Sequence, residues 1–172
     1  MTDCAYIDSS LNEVVHRMIN ASRDAGLTCA PTLVAAVKYA SDEEFLHLVR
    51  ECGVADVGEN RVQQLIAHKA LLSPEERDRI RFHFIGRLQT NKVKYLIGQT
   101  ELIHSLDSER LAEEIEKQSA MHETVTRVLV EINGADYKKV LKGSEIWVPE
   151  EIDSEGSALI MRDVEIKKPG KY

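Results

Sequence analysis

The sequence is short of the features that most readily announce a function. Its three cysteines, Cys4, Cys29 and Cys52, are odd in number and far apart, and none belongs to a C-x-x-C pair. Neither a disulfide framework nor a zinc knuckle is indicated, so reduced thiols and no metal site are expected. Positive charge is not in excess either: 22 Lys and Arg stand against 29 Asp and Glu, a formal charge of −7. No global field therefore draws nucleic acid or an anionic membrane. No apolar run approaches the roughly 18 residues of a membrane span, and the first residues lack the charged-then-apolar layout of a signal peptide. A cytoplasmic protein is the expectation. The patterns G-x-G-x-x-G, G-x-x-x-x-G-K-[ST] and G-x-S-x-G are also missing, which removes the usual support for dinucleotide binding, nucleotide hydrolysis and serine-hydrolase chemistry.

What is present is an ordinary globular composition, 43% hydrophobic and 30% charged over 172 residues, enough for one domain with a sizeable core. Leu11, Val14, Val15, Met18, Ile19 and Ser22 recur at helical spacing, which predicts an amphipathic lead-in helix over 9–25, capped by Ser9 or Ser10 and stopped by Gly26. After Pro31 the pattern becomes a continuous apolar run, 33–37, as in a strand buried on both faces. Ser41 and Glu44 form a capping box that opens a helix running to about Cys52, and Gly53 closes it. The alternation then repeats: strands at 54–58, 81–86, 101–106 and 126–133, helices at 60–72, 89–97 and 108–121. Asp107 or Ser108 caps the last helix, with Leu111, Ile115 and Gln118 on its inward stripe. Five strands separated by four helices imply right-handed crossovers and a parallel sheet, doubly wound or the start of a barrel. From Lys138 the rhythm stops, and the tail holds only two short β-prone pieces, 145–148 and 158–166.

Ligands in a parallel α/β sheet bind at the carboxyl ends of the strands, where loops converge and helix N-termini present free N–H groups. Polar residues fall at each such end: Lys38, then Gly58-Glu59-Asn60, then His83 with "GRLQTNK", then His104-Ser105, then Glu131 and Asn133. Lys38 is the most informative. A lysine closing an apolar strand snorkels, pairs with a carboxylate such as Glu59 or Glu131, or serves as an amine able to form an imine with an aldehyde. By residue type alone the ion pair is the leading reading. His83 and His104 lack the close ligand pair of a metal site and read as satisfied core or rim histidines. Arg87, Lys92 and Lys94 read as solvated surface in preference to a phosphate site.

Taken together, "LVAAVKYAS", "GENRVQQL", "FHFIGRLQTNKVK" and "LIHSLDSERLAEEI", in this order, resemble the pyridoxal phosphate homeostasis protein family, whose fold is similar to the N-terminal barrel of alanine racemase. The resemblance covers about residues 5–133. It implies an α/β fold of parallel (β/α) units of the TIM-barrel type, with residues 1–137 forming the N-terminal part of a cofactor-binding barrel. It makes Lys38 the lysine that holds pyridoxal 5′-phosphate (PLP) as an internal aldimine, and it places Asn60, His83 and Ser105 where the barrel faces the cofactor. No catalytic or metal-binding residue is implied. The implied function is binding and supply of PLP inside the cell, without clear turnover.

The resemblance also marks departures. The family's serine-glycine-methionine-serine segment and its arginine-containing strand, which form the phosphate cup, have no counterpart here, and residues 138–172 form an atypical tail. Five strands of an eight-strand barrel leave an open sheet edge, so self-association or docking of the tail on that edge is expected. Weaker cofactor binding than in full-length relatives is expected as well. Two further readings remain in competition: a racemase-like PLP enzyme on the same fold, and a non-binding fragment or interaction protein.

Overall fold

A computed structural model of the chain describes residues 4–131 together with the backbone of the short strand Val164–Glu165. Two compact units divide the chain, Met1–His83 and Phe84–Tyr172.

In the first unit, helix α1 (Ala5–Asp24) precedes strand β1 (Ala35–Ala36), helix α2 (Asp42–Arg50), strand β2 (Asp56–Glu59), helices α3 (Val62–Ala70) and α4 (Pro74–Arg79), and strand β3 (Arg81–Phe84) at the unit boundary. Strands follow the order β1-β2-β3, and β1 and β2 run parallel with Ala36 opposite Gly58. The local signals explain the helix ends. Ser41 accepts from the Glu44 amide while the Glu44 side chain reaches back to the Ser41 amide, the capping box expected from the sequence. Gly26 and Gly53 sit at φ +67° and +69° just past α1 and α2, the left-handed stop that glycine makes without strain.

Two expectations need correction here. Helix α1 starts at Ala5, a turn earlier than predicted, so Ser9 lies inside it and donates to the Tyr6 carbonyl instead of capping. The helix predicted over 60–72 forms as α3, but a further helix that was not predicted stands between it and β3. A second capping box, Ser73 with Glu76, opens α4 with Pro74 in its first turn, where a missing N–H costs nothing.

The core of this unit lies between helices α2 and α3 and the strands. Phe45, Val57, Leu65 and Phe82 are all at most 1% exposed, and the Phe45 and Phe82 rings lie 6.3 Å apart. Each such side chain contributes about 1.5–3 kcal/mol by leaving water. Helix α1 differs: Ser22 is its buried residue, while Val14, Val15 and Ile19 of its predicted inward stripe are exposed.

In the second unit a 3-10 helix (Thr90–Tyr95) stands where an α-helix over 89–97 was predicted, followed by β4 (Leu102–Leu106), α5 (Glu109–Met121) and β5 (Arg127–Val130). Gly98, at φ +70°, follows the short helix. Leu111 and Ile115 face inward as expected, but the stripe continues at Ser119 rather than Gln118. Strands β4 and β5 are parallel, so the chain carries the parallel (β/α) units expected of the barrel type. Strand β6 (Val164–Glu165) pairs antiparallel with β5, so a piece of the tail docks on this strand. The β-prone segment 145–148 lies outside the described residues.

Candidate functional site

The ladder between β1 and β2 continues one step past its registered pairs, because the Val37 amide donates to the Gly58 carbonyl at 3.0 Å. Lys38 and Asn60 are therefore each two residues beyond the pair Ala36 and Gly58, at the carboxyl ends of neighbouring strands. Parallel strands lie about 4.8 Å apart, so these two ends share one rim. A turn follows at once, with the Ala40 amide on the Val37 carbonyl, and Gln64 of α3 donates to the Lys38 carbonyl at 3.1 Å. The Lys38 backbone is thus held from two sides.

Its side chain is exposed. The Nζ stands 4.9 Å from the centre of the Tyr39 ring, and among the described residues no carboxylate is within ion-pair distance of it. The two carboxylates that sequence reasoning offered as partners are placed otherwise. Glu59 is fully buried and bonded through Oε1 to His68 Nδ1, and Glu131 follows β5 with its amide on the Leu106 carbonyl. The ion pair favoured by residue type alone is absent at Lys38.

His68 was not singled out in the sequence, although it continues the buried stripe Val62, Leu65, His68 of α3. Its ring stacks on Phe45 with centres 4.2 Å apart and planes 3° from parallel. Burial pushes the Glu59 carboxyl above its usual range, and the His68 hydrogen bond opposes that without cancelling it.

Three buried side-chain atoms lack a hydrogen-bond partner among the described residues: Glu59 Oε2, Asn60 Oδ1 and Ser105 Oγ. Two of them belong to residues that the family resemblance places at the cofactor. A buried polar atom without a partner costs about 1–3 kcal/mol, and proteins keep such groups mostly where a ligand or water completes them.

Ser105, in the second unit, has a further distinguishing feature. From Ile103 to Leu106 strand β4 takes three steps while β5 takes two, from Val128 to Val130, so β4 carries an extra residue at His104-Ser105. Such bulges re-aim side chains and recur next to binding sites.

His83 is different. It is buried, and its Nε2 lies 3.0 Å from Asp56 Oδ1, which also takes hydrogen bonds from Arg81. Burial works to raise the Asp56 pKa, but the bonds from Arg81 and His83 outweigh it and hold the carboxyl below its usual range. His83 is thus the satisfied core histidine expected from residue type, tied to the amino-terminal end of β2. The basic residues of "GRLQTNKVK" are at the surface: Arg87 lies 3.8 Å from Asp107, and Lys92 and Lys94 stand over the Tyr95 ring.

Among the described residues this rim holds an exposed amine, an amide oxygen without a partner on the adjoining strand end, and no carboxylate within ion-pair distance of the amine. No family model matches the chain, but individual proteins do. A pyridoxal phosphate homeostasis protein of Aquifex aeolicus is 42% identical over 128 residues, 72% of this chain and 53% of that protein. One of Helicobacter pylori is 37% identical over 120 residues, 69% of this chain and 50% of that protein. Among solved structures, an unknown protein of Bifidobacterium adolescentis superposes with a TM-score of 0.64 at 28% identity, covering 72% of this chain and 54% of that one. PipY of Synechococcus elongatus, in its form without PLP, superposes with a TM-score of 0.55 at 24% identity, over 69% of this chain and 53% of that one, a likeness of fold. The chain spans about half the length of the curated relatives it matches. The chain belongs to the pyridoxal phosphate homeostasis protein family.

Proposed function

We propose that the chain binds pyridoxal 5′-phosphate through a Schiff-base linkage at Lys38 and takes part in intracellular PLP homeostasis as a carrier. The observation that carries this reading is the freedom of the Lys38 amine from any described carboxylate, while Glu59, the nearest candidate in sequence terms, is committed to His68. An amine and an aldehyde join with loss of water, and an amine locked in an ion pair would have to break that pair first. When bound, PLP supplies the aldehyde that makes this capture reversible.

The chain's own residues have separate tasks. Gln64 and the turn 37–40 fix the Lys38 backbone, so that the long side chain swings from a defined base. Asn60 offers its unpartnered Oδ1 to a donor on the ligand, and Tyr39 presents a flat, 87% exposed ring beside the amine. In the second unit, Ser105 keeps a buried hydroxyl without a described partner beside an irregularity of β4, which supports the role the resemblance gives it. For His83 the support is the resemblance alone, since Asp56 at the amino-terminal end of β2 already engages its ring.

The test is an absorption titration of the purified chain with PLP. A yellow adduct is expected in the wild type and its complete loss in Lys38→Ala, with the stability of the free protein within about 0.5 kcal/mol because the side chain is exposed. A folded wild-type protein that leaves the PLP spectrum unchanged would overturn the reading in favour of a non-binding chain.

A further inference from the structure

The first turn of α1 and the end of α2 bring together side chains that the proposed cofactor site does not use. Asp8 Oδ1 lies 2.9 Å from His47 Nε2 and 3.1 Å from Cys52 Sγ. One donor atom from each of the three residues falls within 4.8 Å of the other two. We propose that Asp8, His47 and Cys52 form a three-residue binding site for zinc or a similar divalent transition metal.

The donor set decides the metal class. One thiol, one imidazole and one carboxylate suit a borderline-soft ion and not magnesium or calcium, which take oxygen donors. Bonds of about 2.0–2.3 Å at tetrahedral angles separate donors by about 3.5 Å. The two spacings to Asp8 therefore need to open by only a few tenths of an ångström, as the hydrogen bonds centred on Asp8 give way to metal bonds. The frame is also suitable: His47 and Cys52 are joined by the bond from the Cys52 amide to the His47 carbonyl, and Gly53 ends the helix directly after them.

The consequence falls on α1. This helix of 20 residues buries Ser22, and its first turn meets α2 through polar contacts, Tyr6 with Glu44 and Asp8 with His47 and Cys52. A bound ion replaces exposed hydrogen bonds by coordinate bonds and staples the two helices. The sequence hid the group because its members are 39 and 44 residues apart.

The test is a titration of the reduced full-length chain with Co²⁺ under anaerobic conditions, followed by displacement with Zn²⁺. A sulfur-to-cobalt charge-transfer band with the visible bands of a tetrahedral ion is expected in the wild type. Cys52→Ser should abolish the charge transfer or weaken binding by more than about 100-fold, beyond the loss typical of outer-shell changes. Asp8→Asn, at a half-exposed position where folding is not at risk, should weaken binding and keep the band, and Cys29→Ser should leave it unchanged. Zn²⁺ should also slow proteolysis within α1 in the wild type and not in Cys52→Ser. A wild-type protein that is folded and reduced yet shows no band would overturn the proposal, as would a band of undiminished strength in Cys52→Ser or its loss in Cys29→Ser.

Discussion

Strand β2 carries polar groups at both ends, and the two ends are treated in opposite ways. At its beginning Asp56 is paired by Arg81 and by His83, so its charge is met by two donors. At its close Glu59 keeps one orphan oxygen, Asn60 keeps its amide oxygen unmet, and Lys38 at the end of β1 has no described carboxylate. The first cluster is finished without a ligand and the second is not. Satisfaction of hydrogen bonds thus sets the two ends apart more sharply than residue type does, since both have charged and polar side chains. The polarity agrees with the general rule that parallel α/β folds keep stability at the amino ends of their strands and chemistry at the carboxyl ends.

Substitutions at the two ends should therefore fail in different currencies. Asp56→Ala removes the hydrogen-bond partner of Arg81 and of His83 and leaves His83 buried. It is expected to cost about 2 kcal/mol in denaturant unfolding, less than for a fully buried pair because Arg81 is half-exposed. PLP uptake per folded molecule should be unchanged. Asn60→Ala should do the reverse. It deletes an atom that has no partner among the described residues, so stability should stay within about 0.5 kcal/mol, whereas PLP affinity should fall about tenfold, the value of one hydrogen bond of about 1.4 kcal/mol. Equal stability losses in the two variants would erase the distinction.

A smaller effect sharpens the structural side alone. Arg50 and the Ser73 cap hold the Glu76 carboxylate well below its ordinary 4.5, at about 2. A depressed folded pKa means that the contribution is complete above pH 4.5 and is lost as pH falls towards 2. Acid unfolding of Glu76→Gln should be correspondingly less steep in that window. Because α4 does not carry the cofactor residues, PLP binding at neutral pH should not change.

The architecture was legible wherever a local rule acted alone. The Ser41 and Glu44 capping box, the stops at Gly26 and Gly53, and the strand-helix alternation all rest on nearest-neighbour chemistry. The errors came from competing local signals or from tertiary placement. The Ser73-Pro74-Glu75-Glu76 start of α4 was written in the sequence but overshadowed by the apolar end of α3. Nothing in the spacing of α1 told that Val14, Val15 and Ile19 would remain exposed.

Within the candidate site, Lys38 stood out by its contrast with an apolar strand, yet its partner could not be read. The competition for Glu59 was decided by His68 on a helix nine residues later. Asn60 and Ser105 were indicated by resemblance, and their distinguishing property, an oxygen left without a donor, exists only once the chain is folded.

The central claim is that the Lys38 amine is the point of attachment for PLP. Its most direct test is reduction of the loaded wild-type chain with borohydride, followed by proteolysis and mass analysis of the peptides. A single pyridoxyl adduct on Lys38 is the expected result. Label spread over exposed lysines such as Lys94 and Lys117, or confined to a residue other than Lys38, would contradict the account.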